Sequence, residues 1–217
     1  MYVHGLDLGQ QSDYTAHVII EARVQEPRGL VRHALDGELV HLMIHAERYR
    51  GVPYPEVVRR VKRRIEFIRE HDRRHGRRDQ DQVLAVDRGE VGKAVVDMLR
   101  EARLDVDDLL AVQITGGTAT TFGDGYVGVP KRDLVSVVMR TAAEGRLRIA
   151  AELALAKMIQ GELRTFRAKL TAAGNDTFEA ARHKDHDDLV LATSLALWTG
   201  ERMAGPRFSG SVAVSWG

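Results

Sequence analysis

The chain has 217 residues, 44% hydrophobic and 29% charged, enough for one sizeable α/β core and short for two. Its 32 Lys and Arg against 31 Asp and Glu leave a formal charge of +1, so no global field announces a polyanionic partner and any nucleic-acid role rests on local patches. The absence of cysteine excludes disulfides, thiolate metal sites and cysteine nucleophiles and suits a reducing cytoplasm, and no apolar run approaches the roughly 20 residues that span a bilayer.

Val3-His4-Gly5-Leu6-Asp7-Leu8-Gly9 is an apolar run that delivers one carboxylate, turns at Gly9 and Ser12-Asp13, and re-enters a β-branched run at Val18-Ile19-Ile20. The pattern predicts two paired strands, the second reaching about Val24. A core strand so soon after Met1 predicts a domain cut from a longer protein. Leu30 to Ala34, Asp36-Gly37 and Leu39 to Ala46 read as a further hairpin with an Asp-Gly turn, so the first strands are expected to be antiparallel. From Glu56, the apolar residues Val57, Val61, Ile65 and Ile68 recur at helical spacing. The arginines between Arg59 and Arg78 are interleaved with Glu66, Glu70, Asp72 and other acids, and read as a solvated face.

Val83-Leu84-Ala85-Val86 reads as a buried central strand ending on Asp87, with a helix over Ala94 to Leu99 after it. Gly92-Lys93 lacks the spacing of a phosphate-binding loop, and Ala94 stands where a hydroxyl is needed, so no ATPase site is expected. Leu109 to Thr115 is another buried strand. The stretch from Gly116 to Pro130 carries Gly116, Gly117, Gly123, Gly125 and Gly128, and predicts a mobile β-hairpin excursion. As a surface hairpin it needs no function, whereas beside an active-site crevice it would guide a substrate, with Lys131 and Arg132 on phosphates at its base. A helix from Lys131 to about Ala143, a short strand over Arg146 to Ile149, and a long helix with Ile159, Leu163, Phe166 and Leu170 on one face follow. His183-Lys184-Asp185-His186-Asp187-Asp188 then runs into the apolar helix Leu189 to Trp198. One domain is expected over 1–217, ordered over about 3–203, with a loose tail at 204–217.

A carboxylate in a core strand is costly to desolvate unless it is paired, hydrogen-bonded or bound to a cation. Asp7, Asp87 and Asp188 lie on two strands and a helix start, and the carboxyl ends of neighbouring strands in an α/β sheet form the crevice where ligands bind. Asp185 and Asp188 share one helical face and also fit a cap that complements the helix dipole. Asp13 fits a turn residue, and His183 and His186 fit exposed loop histidines; all three are accessory candidates. Close carboxylates call for a cation, and an all-oxygen site favours Mg²⁺ or Mn²⁺ over zinc. Two such ions about 4 Å apart clamp both oxygens of a phosphodiester displacement.

The strand acid in Gly5-Leu6-Asp7-Leu8-Gly9 with Asp13-Tyr14-Thr15-Ala16, the Val86-Asp87 strand end leading to Gly92, and the His186-Asp187-Asp188-Leu189-Val190 helix start together resemble the C-terminal nuclease domain of a bacteriophage terminase large subunit. Val129 to Leu134 and Gly145 to Ala150 resemble that family's segments between the second and third acids, so the likeness runs from about Val3 to Trp198. It implies an RNase H-like α/β fold with a central mixed sheet, antiparallel at first and then parallel, flanked by helices and carrying the glycine-rich hairpin. It further implies a Mg²⁺- or Mn²⁺-dependent endonuclease that cleaves double-stranded viral DNA during genome packaging by a two-metal mechanism. The implied ligands are Asp7, Asp87 and an acid of the 185–188 cluster, Asp188 first, with Asp187 and Asp185 beside it; Asp87 departs from relatives that carry Glu there. Lys131, Arg132 and Lys184 are the candidate DNA contacts. The implied partners are an N-terminal packaging ATPase domain, the terminase small subunit and the portal protein, in the cytoplasm of the infected host, with the isolated domain monomeric. A stand-alone Holliday-junction resolvase and a non-catalytic regulatory module of the same fold are the alternatives.

Overall fold

The expected first pair of strands forms the centre of the sheet. A computed structural model describes residues 1–9, 13–25, 37–78, 80–89, 92–173 and 187–203. In it β1 (Tyr2–Asp7) and β2 (Tyr14–Gln25) pair antiparallel from Tyr2↔Glu21 to Asp7↔Ala16. β3 (Glu38–Arg50) pairs antiparallel along all of β2, so Leu39 to Ala46 extends this meander. Residues 26–36, and with them most of that proposed hairpin, lie outside the described residues.

On the other side of β1 the strands are parallel, as their continuous apolar runs require of a sheet covered on both faces. β4 (Gln82–Asp87) pairs with β1, β5 (Asp108–Thr115) with β4, and β7 (Tyr126–Pro130) with β5. β6 (Thr121–Gly123) turns antiparallel to β7 at one edge, and β8 (Leu147–Ile149) runs parallel to β3 at the other, for an order of β6-β7-β5-β4-β1-β2-β3-β8. The described residues thus form one mixed sheet flanked by helices.

Helices α1 (Tyr54–Arg74) and α2 (Gly92–Glu101) cover one face, packing Val57, Val61, Ile65, Val95 and Leu99 against Leu6, Leu84 and Val86. Helices α3 (Lys131–Ala143), α4 (Ala156–Ala173) and α5 (Asp188–Met203) cover the other, where Leu189, Leu195, Leu134 and Ile159 meet Val3, Val18, Ile20, Ala85 and Val112. α5 is apolar almost all round because it lies between the sheet and α3. Most arginines of α1 form a solvated face, with Arg59, Arg60 and Arg63 gathered on Glu56 and Arg73 and Arg74 on Glu70, whereas Arg69 is largely buried against Asp107 and the Gln80 carbonyl.

The glycine-rich stretch forms the expected β-hairpin, β6 turning into β7, and is tied into the sheet. Val127 and Val129 are buried in the core and Tyr126 packs on the α2 side, so its second half is an integral sheet strand. Its turn at Asp124-Gly125 points back toward the amino ends of the parallel strands, away from the crevice, and the Gly125 carbonyl accepts a bond from Arg100.

One irregularity decides what each face carries. β3 has an extra residue opposite Ile19 and Ile20, so Ile20 pairs with Met43 but Ile19 with His45. A bulge reverses the alternation beyond it. Met43 therefore joins the α5 face, while His45 and Glu47 turn toward α1 and Arg48 returns to the α5 side.

Candidate active site

Strand alternation puts Val3, Gly5 and Asp7 on one face, the face against which α5 lies. A Cβ on Gly5 would stand 1.9 Å from the Ala192 carbonyl oxygen, so only glycine lets the helix backbone come this close. From that contact, two residues of strand rise about 6.6 Å and four of helix about 6 Å, which carries Asp7 and the first residue of α5, Asp188, to the same level. β1 and β4 are in parallel register with Leu6 beside Val86, so Asp87 closes the neighbouring strand next to Asp7. The Gly89 N–H donates to Asp87 Oδ1 at 3.1 Å, and a Cβ on Gly92 would meet the Asp87 carbonyl oxygen at 2.4 Å, so this glycine lets α2 start tight against the strand end.

The electrostatics register the convergence. Burial pushes the Asp7 carboxyl well above its usual range, and the charges of Asp87, Asp188, Asp187 and Asp13 push it further. Asp13, at the exposed head of β2, also lines a cleft of about 240 Å³ with Gly9, Thr15, Gly51, Val52, Pro53 and Tyr54. The structure thus brings together Asp7, Asp87, Asp187, Asp188 and Asp13.

Two further residues join them that sequence reasoning did not single out. Glu162 of α4 is pushed up to about 7 by burial, with Asp188 and Asp187 adding to the shift and Arg48 opposing it. Its one available signal was position, since it lies three residues after buried Ile159 on the packed side of α4. Arg48 donates to Glu162 Oε1 at 3.0 Å, lies 3.5 Å from Asp188 Oδ2 through Nε, and stacks 3.8 Å above the Tyr14 ring. Only the β3 bulge puts it there.

Lys131 and Arg132 begin α3 at the carboxyl end of β7, about 10 Å and two strand spacings from the end of β4. Arg132 is exposed, bonds the Thr118 carbonyl and lies 3.5 Å from Asp133. Lys184, Asp185, His183 and His186 lie outside the described residues. Among the described residues, the trio of potential ligands whose atoms all lie within 4.8 Å of one another is His17, His45 and Glu47, on the opposite face. The crevice acids are a separate set, gathered at the carboxyl ends of β1 and β4 and the start of α5. Their surplus negative charge and all-oxygen donors fit a hard divalent ion.

No family model matches the sequence, and no curated protein matches it. Solved structures do. The large terminase nuclease from thermophilic phage G20c superposes with a TM-score of 0.50 at 19% identity, covering 90% of this chain and 80% of that one. The human cytomegalovirus terminase nuclease domain, soaked with Mn and bound to an inhibitor, gives 0.51 at 12% identity, covering 89% and 80%. Thermus thermophilus RuvC aligns over 94% of this chain and 97% of its own at 19% identity, with a TM-score of 0.36. With its mixed sheet, its acidic strand ends and these terminase neighbours, the chain has the RNase H-like fold of the terminase nuclease domains.

Proposed function

We propose that the protein is a Mg²⁺- or Mn²⁺-dependent endonuclease that cuts double-stranded viral DNA during genome packaging. The observation that carries this reading is Asp7, a buried carboxyl at a strand end whose ionisation is opposed by four neighbouring aspartates. Such an arrangement is unfavourable by itself and becomes favourable when a cation is held among the acids. Asp7, Asp87 and Asp188 would hold the metal, with Asp187 beside them and Asp185 in reserve. When bound, a pair of such ions activates water and steadies the departing oxygen of a phosphodiester. Arg48 orients Asp188 from behind, and Lys131 and Arg132 receive phosphates of the duplex on the flank of the crevice. The Mn-soaked cytomegalovirus neighbour supports the choice of metal. In this reading the domain works beneath an N-terminal packaging ATPase, with a terminase small subunit and a portal protein, in the cytoplasm of a phage-infected host.

The test is incubation with plasmid, linear duplex and four-way branched DNA in Mn²⁺, Mg²⁺ or EDTA. Duplex cleavage in either metal, absent in EDTA and abolished by Asp7→Asn, Asp87→Asn and Asp188→Asn, is expected. Cleavage in EDTA overturns the mechanism. Cutting confined to branched DNA replaces packaging with junction resolution.

A further inference from the structure

The face of the sheet turned toward α1 buries a row of histidines that the acidic crevice does not use. His4 and His17 have no solvent exposure and stack with ring centroids 5.3 Å apart, and His45 meets the edge of His17 at 5.7 Å. Donor and acceptor roles run through this row from one end. The Gln82 amide nitrogen donates to the Ile65 carbonyl, which leaves its oxygen facing His4 Nε2 at 3.0 Å. His4 Nε2 must therefore carry a proton. A fully buried ring with no carboxylate against it stays neutral, so His4 Nδ1 is an acceptor, and His17 Nε2, 3.1 Å away, must donate to it.

That leaves His17 Nδ1 as a bare lone pair when the ring is neutral, and it faces the Glu47 carboxylate oxygen at 3.3 Å. Two acceptors so close need a proton or a metal ion between them. His45 Nε2 is shielded from solvent, has no hydrogen-bond partner among the described residues, and lies 3.6 Å from the same oxygen. These separations exceed the 2.7–2.9 Å typical of a charge-assisted hydrogen bond. They match the edge of about 3.3 Å between ligands in a tetrahedron with metal bonds of about 2.0–2.1 Å. We propose that His17 Nδ1, His45 Nε2 and Glu47 bind one borderline divalent cation, Zn²⁺ foremost, on the face of the sheet opposite the acidic crevice.

Imidazole donors and one carboxylate suit zinc better than the hard ions favoured by the aspartates, so the two sites would select different metals. The Gln82–His4 pair acts as the outer shell that fixes the His17 tautomer. Glu47 also lines a cleft of about 330 Å³ with Arg60, Arg63, Arg64 and Phe67, where the fourth coordination position would open toward an anion or water. Because the bulge brings His45 and Glu47 to this face, the ion would tie β2 to β3 under α1.

The experiment is calorimetric titration of the metal-free chain with ZnCl₂, together with the visible spectrum of the Co²⁺-loaded protein. Asp7→Asn serves as a background in which the acidic crevice is disabled. One zinc per chain, equal affinity in wild type and Asp7→Asn, and a tetrahedral Co²⁺ spectrum are expected. His45→Ala and Glu47→Gln should each weaken zinc binding beyond the roughly 10- to 100-fold that loss of an outer-shell partner costs. Circular dichroism in EDTA verifies the fold of each variant, and either one alone suffices if the other does not fold. No saturable zinc binding by Asp7→Asn, or wild-type affinity in a folded His45→Ala or Glu47→Gln protein, overturns the site, whatever the nuclease assays show.

Discussion

Asp7 is where the balance between stability and function is most exposed. A carboxyl whose folded-state pKa lies above its unfolded value costs stability once pH exceeds the unfolded value, because the folded state then holds the charge less well than water does. At neutral pH in EDTA, Asp7→Asn should therefore melt higher than wild type, by on the order of 1 kcal/mol or about 2–4 °C, while losing most of the stabilisation that Mn²⁺ gives wild type. Scanning calorimetry of both proteins with and without metal decides it, and a lower melting point would make Asp7 a structural acceptor. Asp188 behaves differently because Arg48 lies against it and also serves Glu162. Arg48→Met leaves both carboxyls half-buried without this cation and should cost about 2–4 kcal/mol in urea unfolding, part of it recovered in Mn²⁺.

Among the elements, the crossing of α5 over β1 positions the acids, and Gly5 permits it. Gly5→Ala drives a methyl into the Ala192 carbonyl and should destabilise by about 3 kcal/mol, with loss of cleavage wherever the fold survives, because lifting α5 also lifts Asp188. The β6–β7 hairpin makes a contrasting case. Its glycines suggested a mobile excursion, and Arg88 stacks 4.3 Å over the Tyr126 ring while β7 completes the pairing of β5. Replacing Thr118 to Tyr126 by a short turn should therefore cost roughly 2–4 kcal/mol, read as a lower urea midpoint.

Across the whole molecule, Glu201 near the end of α5 joins distant parts of the chain. It accepts from Arg146 at 2.5 Å before β8, from Arg140 of α3 at 3.0 Å, and lies 2.6 Å from Nε2 of buried His41 on β3. Burial pushes its carboxyl up, but the bonds from Arg146 and His41 outweigh this and hold it below its ordinary 4.5. Its contribution is therefore complete above pH 4.5 and is lost as pH falls through the lower folded value. Glu201→Gln should lower stability by about 2 kcal/mol near pH 7, and the gap from wild type should shrink below pH 4.5 as the carboxyl takes up its proton. A gap that does not shrink there would refute the role.

Local pattern alone determined the paired first strands, the buried strands β4 and β5, the helices, and Asp7, Asp87 and Asp188 as the acids worth watching, because apolar periodicity and a carboxylate in a core run are properties of neighbouring residues. That β3 would pair along the whole of β2 was not legible, since a strand's partners are chosen by sheet pairing and not by its own run of residues. Nor was the burial of Val127 and Val129, because glycine-rich composition reports the freedom of the unfolded chain and not the edge it must complete. Arg48, His45 and Glu47 were hidden because a single bulged residue in β3 reverses the alternation, and Glu162 because it meets Arg48 only across more than a hundred residues of chain.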